Sequence, residues 1–260
     1  DLETAQFELK PYTEVMAAAL RMMDEAIEEA RKGSFRLPEA WIKGQEYTNT
    51  QLVQIINSYV ARFLAYNART PAERAAVPWS QVVARIDAGI TFDFGPVLDN
   101  TTWTDLYKNH TQRFDWFRAD YRLVGPADIS GNYQRWLATP VDQRMPFDIT
   151  TPDRRITGAT PQTDGTDFYY RATQNFRADR GTYHFSNYGH KRYMALRQTQ
   201  TGFDPIMTVT EMDLLKAEAL IRLGQPDQAA ALINKTRVAR GKLPPVTRDG
   251  PPRGPDCVPR

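Results

Sequence analysis

The chain has 260 residues, 41% hydrophobic and 25% charged, enough to bury a sizeable core in one or two domains. Its 33 basic and 31 acidic residues are interspersed and nearly cancel, which argues against a nucleic-acid partner. No apolar run reaches the roughly 20 residues of a membrane-spanning helix, and the single cysteine, Cys257, excludes an internal disulfide framework.

Thr13 is placed to cap a first helix running to about Lys32. Val15, Ala19, Met22, Met23, Ala26, Ile27 and Ala30 recur on one face, and Gly33 stops it. A connector with Pro38 and Gly44 leads to Thr50, which opens a second long helix through about Arg69. Leu52, Ile55, Ile56, Tyr59, Val60, Phe63 and Leu64 form its buried stripe, and Ser58 and Ala61 are small enough for close helix contact. Thr70-Pro71-Ala72-Glu73 is a capping box with proline at the first helical position, a specific signal for a new helix. A further helical stretch begins at Trp79 and ends near Gly89. Residues 1–89 therefore read as a set of antiparallel helices.

Residues 90–207 lose the helical period. They are rich in turns such as Phe94-Gly95-Pro96 and Ile129-Ser130-Gly131-Asn132, and 19 of the chain's 29 aromatic residues lie between Phe92 and Tyr193. Short helices are expected at 103–108 and 113–121, and short strands at 167–171 and 182–186. Residues 208–241 return to helix. Thr210 is a fitting N-cap, Gly224 ends the first helix, and Pro226 suits the first position of the second. Ala217, Leu220, Ala229 and Ile233 follow the small–large–small–large order of a tetratricopeptide hairpin, which an ordinary helical hairpin also satisfies. Residues 242–260 hold six of the 18 prolines and read as an extended tail. The fold expected is mainly α: tetratricopeptide-like hairpins in an α-α superhelix, interrupted by a large loop-rich insertion carrying short helices and strands, all in one compact domain.

Three blocks of residues carry a family resemblance. The first is Pro11-Tyr12-Thr13-Glu14-Val15-Met16 through Ala26-Ile27, with Phe35-Arg36-Leu37-Pro38 and Trp41-Ile42. The second is Asn57–Tyr66 with Arg69–Arg74 and Trp79. The third is Thr210-Glu211-Met212 with Ala217–Leu220 and Ile233–Arg237, and Arg180–Ser186 also fits. In these blocks the chain resembles the SusD/RagB family of outer-membrane glycan-binding lipoproteins, as an internal to C-terminal portion of such a protein. The resemblance implies a non-catalytic protein that binds an oligosaccharide or other nutrient and delivers it to a SusC-like TonB-dependent transporter. It also implies an outward-facing place at the cell outer membrane, held by a lipid anchor that no residue of this chain supplies. A helical-repeat protein–protein adaptor is the alternative, and a glycosidase a third reading.

Sugar rings stack their C–H faces on aromatic rings and need hydrogen-bond partners for every buried hydroxyl. Trp103, Tyr107, Trp116, Tyr121, Tyr133 and Trp136 have polar neighbours, among them Asp105, Asp115, Asn132, Gln134 and Arg135, and are the candidate ligand-binding residues. The competing reading for each ring is the core of a lobe poor in aliphatic residues. Asp164-Gly165-Thr166-Asp167 lacks the alternating acids of a calcium loop and reads as a turn. His110, His184 and His190 lack metal-ligand spacing, so neither a metal nor another cofactor is expected.

Overall fold

Three helices of this chain open on one device, a threonine followed three positions later by Gln or Glu. The structure, a computed structural model, describes residues 9–105, 118–172, 177–196 and 199–250. Helix α1 (Tyr12–Arg31) starts without a side-chain cap. Helix α2 (Asn49–Tyr66) starts on Thr48, whose hydroxyl accepts from the Gln51 N–H at 3.2 Å while the Gln51 side chain accepts from the Thr48 N–H at 2.9 Å. Thr70 and Glu73 repeat the box at α3 (Pro71–Ala75), as the sequence indicates. After α4 (Trp79–Asp87), α5 (Tyr121–Val124) and α6 (Asn132–Ala138), helix α7 (Val209–Arg222) opens on Thr208, which accepts from the Glu211 N–H. The starts expected at Thr50 and Thr210 thus move back two residues. Val53 cannot reciprocate to Thr50, whereas Gln51 reciprocates to Thr48; at α7 Thr208 caps alone, its partner Glu211 being held by Arg62.

The chain is mainly helical, and it divides into two compact units where one was expected. The first unit takes residues 1–96 and 205–225, the second 97–204 and 226–260. This division separates α7 from α8 (Pro226–Arg237), so the expected 208–241 hairpin does not fall within one unit. Gly224, at φ +72°, ends α7 in a left-handed turn that glycine adopts without strain. Within the second unit, the residues after α8 are tied to the insertion: Arg154 N–H donates to Gly241 O at 2.9 Å, and Arg240 pairs with Asp167.

In the first unit α1, α2, α4 and α7 pack as neighbours over a core of Ile55, Ala61, Ala65, Val82, Met212, Leu215 and Ala219. Ala61, Ala65 and Ala219 are fully buried, and their small side chains let helix backbones approach. Ser58 is buried in the same way; its hydroxyl accepts from the Ile90 N–H and lies where a Cβ on Gly89 would stand. Charged pairs tie the helices at their edges. Arg62 grips Glu211 with two bonds of 2.8 and 2.6 Å, Arg74 holds Glu218, and Lys216 pairs with Asp87. On α1, Ile27 and Ala30 are buried, but Val15 and Met22 of the expected apolar face are exposed. The unit closes at an antiparallel bridge between Phe94 and Met207.

The second unit has two small antiparallel ribbons, β1 (Val97–Leu98) with β4 (Gly202–Phe203) and β2 (Phe168–Tyr170) with β3 (Tyr188–His190). The strand expected at 182–186 lies instead at 188–190, and Thr182–His184 is a 3-10 turn. The register explains the shift. Tyr169 faces Gly189, and a Cβ there would stand 2.2 Å from the Tyr169 ring, so only glycine fits beneath it. The core is Tyr121, Val124, Trp136, Ile149, Ile156, Phe168 and Tyr188. The helices expected at 103–108 and 113–121 fall largely outside the described residues. The tail has no regular structure over residues 242–246 and then turns back at 247–250, where the Thr247 and Gly250 backbones bond each other; Asn234 holds it by bonding both the N–H and the carbonyl of Val246 at 2.9 Å.

Candidate ligand-binding site

Helix α6 is short, and side chains beyond its ends hold it. At its start Asp128, 1% exposed, accepts from the Ser130 hydroxyl at 2.9 Å, the Thr150 N–H at 3.0 Å and the Tyr133 N–H at 3.2 Å. At its end Arg144 donates from Nε to Thr139 O at 3.0 Å and from Nη2 to Leu137 O at 3.1 Å, satisfying carbonyls that have no partner inside the helix. The same guanidinium lies 4.2 Å from the centre of the Trp136 ring and 5.5 Å from that of Tyr183, a cation on aromatic faces.

Beside this helix is a pocket of about 270 Å³ lined by Asn132, Arg135, Trp136, Thr139, Gln143, Met145, Pro146 and Phe147. Its polar lining is amide, hydroxyl and guanidinium; its apolar lining is aromatic and Met. Arg135 donates to the Asn132 amide oxygen, which orients that pair. The Gln143 side chain has no protein partner among the described residues and is exposed. The indole Nε1 of Trp136 is buried and has no hydrogen-bond partner among the described residues. Leaving such a donor unpaired costs about 1–3 kcal/mol. The lining contains no carboxylate, so the pocket offers no acid–base pair. What it offers is convergent donors and acceptors around an apolar floor, the chemistry that holds a hydroxyl-rich ligand.

The structure separates the six expected ligand-binding residues. Tyr107 and Trp116 lie outside the described residues. Tyr121 is fully buried: its hydroxyl donates to Phe147 O at 2.7 Å and accepts from the Phe147 N–H at 2.6 Å, and its ring stacks on Phe147 at 4.3 Å. Burial pushes the Tyr121 hydroxyl well above the ordinary tyrosine range. Tyr133 packs its ring onto Gly125, where a Cβ would stand 2.3 Å away. Trp136 is 3% exposed, enclosed by Arg144, Tyr133 and Tyr121. Tyr121 and Trp136 are therefore core residues, and neither has a ring face open for stacking. The reason is composition: this lobe fills its core with aromatics.

Trp103 stands apart on a tight turn after β1. The Asp99 carboxylate accepts from the N–H groups of Thr101, Thr102 and Trp103 at 2.9–3.0 Å and from the Thr101 hydroxyl at 3.0 Å. These bonds, the Thr101 N–H first, lower its pKa to about 2. Trp103 is half-buried and fixed at its backbone, which suits a stacking platform. Asn132 and Arg135 stand in the sequence as polar neighbours of the rings, and the structure brings both to the pocket. Thr139, Gln143 and Phe147 have no local sequence signal, since an irregular loop folds them back onto α6.

The segment expected as a turn at Asp164–Asp167 instead runs alongside residues 154–157, with Asp164 bridged to Thr157 and the Thr166 and Asp167 N–H groups donating to Arg154 O and Arg155 O, and bends at 166–167. Asp164 accepts from the Tyr170 N–H at 2.8 Å and pairs with Lys191.

No family model and no curated protein matches the chain. Among solved structures, a SusD-like carbohydrate binding protein from Bacteroides vulgatus ATCC 8482 aligns at 16% identity with a TM-score of 0.36, over 88% of this chain and 43% of that one. The chain thus spans less than half the length of that protein, and a likeness at this level leaves the function to be argued from the residues themselves.

Proposed function

We propose that this chain is the sugar-holding part of a non-catalytic nutrient-binding protein of the SusD/RagB kind. The observation that carries the proposal is the α6 pocket, where Asn132, Arg135, Thr139 and Gln143 meet Trp136 and Phe147 with no carboxylate in the lining. Hydroxyls of a sugar take the amide and guanidinium groups, and Trp103, on its Asp99-pinned turn, is a second contact for a longer oligosaccharide. In this reading the first unit is a tetratricopeptide-like array that docks on a SusC-like TonB-dependent transporter, and a lipid anchor holds the whole protein at the outward face of the outer membrane. The close helix contacts at Ala61, Ala65 and Ala219 support the array, and the three sequence blocks support the family.

A glycan array followed by calorimetric titration tests the proposal. Gln143→Ala weakens binding about 3–10-fold and Asn132→Ala by a similar factor, the worth of one neutral hydrogen bond each. Failure to bind any glycan, or binding untouched by both changes, sinks it. A protein-binding adaptor is the second reading, favoured by Val15 and Met22, which are exposed one above the other on α1. Capture of a transporter by the wild type and its loss in Met22→Glu, with glycan binding retained, assigns that face to docking.

A further inference from the structure

A second pocket of the same unit, about 270 Å³, is lined by Thr150, Thr151, Arg154, Thr157 and Thr160 together with Ile129, Ala159 and two prolines. No acid lines it. Arg154 is half-buried. Its backbone N–H donates to Gly241 O and its Nη1 to Gly158 O. It makes no ion pair among the described residues, and its remaining guanidinium donors have no protein acceptor there. Acids nearby are already committed. Asp153 is gripped by Arg155 through bonds of 2.9 and 2.6 Å, and Asp128 takes the Ser130 hydroxyl and the Thr150 and Tyr133 N–H groups. The hydroxyls of Thr150 and Thr160 have no protein partner among the described residues.

The pocket therefore presents one unneutralised guanidinium and free hydroxyl donors, with no carboxylate of the described residues in its lining to compete for them. A guanidinium matches carboxylate, sulfate and phosphate oxygens in a two-point geometry, and partial burial reduces the screening of that attraction. We propose that the Arg154 pocket is a binding site for an oxyanion, carried on an acidic sugar such as a uronate or a sulfated or phosphorylated hexose. The volume is larger than a bare ion needs and is on the scale of one sugar ring. The proposal rests on this pocket alone, and it stands or falls separately from the α6 pocket.

The test is calorimetric titration of the full chain with glucuronate, glucose 6-sulfate, inorganic phosphate and neutral glucose. The part of binding that Arg154→Gln removes is that of the Arg154 pocket: it is present for the anionic sugars, absent for glucose, and weakened by rising ionic strength. Arg154→Gln lowers the affinity for glucuronate about tenfold or more, Arg154→Lys retains part of it, and Arg21→Gln, on the exposed face of α1, leaves it unchanged. Thr160→Val, which removes a hydroxyl and leaves the backbone bonds of the turn intact, lowers it about threefold and serves if Arg154→Gln does not fold. Phosphate binding as tightly as glucuronate supports the oxyanion site and removes the sugar ring from its recognition. Glucose binding that Arg154→Gln weakens as much as glucuronate binding, or a glucuronate affinity that survives both Arg154→Gln and Thr160→Val, overturns the proposal.

Discussion

Tyr121 joins the stability of the second unit to the shape of its pocket, so removing its hydroxyl tests both. The hydroxyl is fully buried and makes two bonds to one residue, donating to Phe147 O and accepting from the Phe147 N–H. Phe147 lines the α6 pocket, and its backbone has no other hydrogen bond among the described residues. In Tyr121→Phe the ring stack with Phe147 remains while both bonds are lost. Each bond is worth about 1 kcal/mol net, and more where water cannot reach the abandoned group, so the expected loss is about 2–4 kcal/mol. At roughly 2–4 °C per kcal/mol for a chain of this size, Tm falls by about 4–16 °C. Urea and thermal unfolding followed by near-ultraviolet circular dichroism measure the loss, and hydrogen exchange at Phe147 localises it. Glycan affinity falls with it, because the Phe147 wall loses its anchor. An unfolding transition that coincides with the wild type, with Phe147 still protected from exchange, would refute the assignment of Tyr121 as the strut of this wall.

Gly189→Ala drives a methyl group into the buried Tyr169 ring, and chemical denaturation should show a loss of about 1–3 kcal/mol. Glu211→Gln and Arg62→Met, alone and together, should give a coupling of about 1–2 kcal/mol in a double-mutant cycle, above the range of exposed pairs; additive effects would show that α2 and α7 do not depend on this bond. Burial, reinforced by Arg192 and opposed by Asp167, holds His190 below its ordinary 6.5. The unfolded chain therefore takes up that proton first, so stability is full above pH 6.5 and falls as pH drops through the lower folded value. Melting curves should show the decline, and His190→Phe should flatten it. Asp99, lowered from 3.8 to about 2, acts in the same sense at lower pH: its contribution is lost between those values, and Asp99→Ala should free the Trp103 fluorescence from that acid transition.

The helices of the first unit were legible because their signals are local. Thr70-Pro71-Ala72-Glu73 carries its cap and its first turn within four residues, and Gly224 followed by Pro226 marks a stop and a start wherever the chain goes next. Of the stripe expected on α2, Ile55 and Val60 are buried and the other five are half-buried; the small residues Ser58 and Ala61 are buried as their size suggests, while the buried Asn57 and Ala65 carry no such signal. Even the misplaced starts at Thr50 and Thr210 are local errors of two residues: the cap falls on Thr48, which Gln51 completes as a box, and on Thr208, which accepts from the Glu211 N–H.

The site was legible only in outline. Aromatic enrichment marks the second unit, and Asn132 and Arg135 reach the pocket, but composition does not say which rings face a ligand and which fill a core. Trp136 and Tyr121 are buried because Arg144, Phe147 and Tyr133 close over them, and Arg144 arrives from a loop with no periodic signal. The strand at Tyr188–His190 needs Gly189 beneath the Tyr169 ring, a condition set by a partner 20 positions away. Helix α8 belongs to the second unit, where the Arg154 N–H donates to Gly241 O and the Arg240 guanidinium donates to Asp167, partners more than 70 positions apart. Helix period and capping thus settled where the segments start and stop, because those interactions span a few residues. Which side chains became core, wall or free donor was decided by contacts distant in sequence, and only the tertiary structure supplies them.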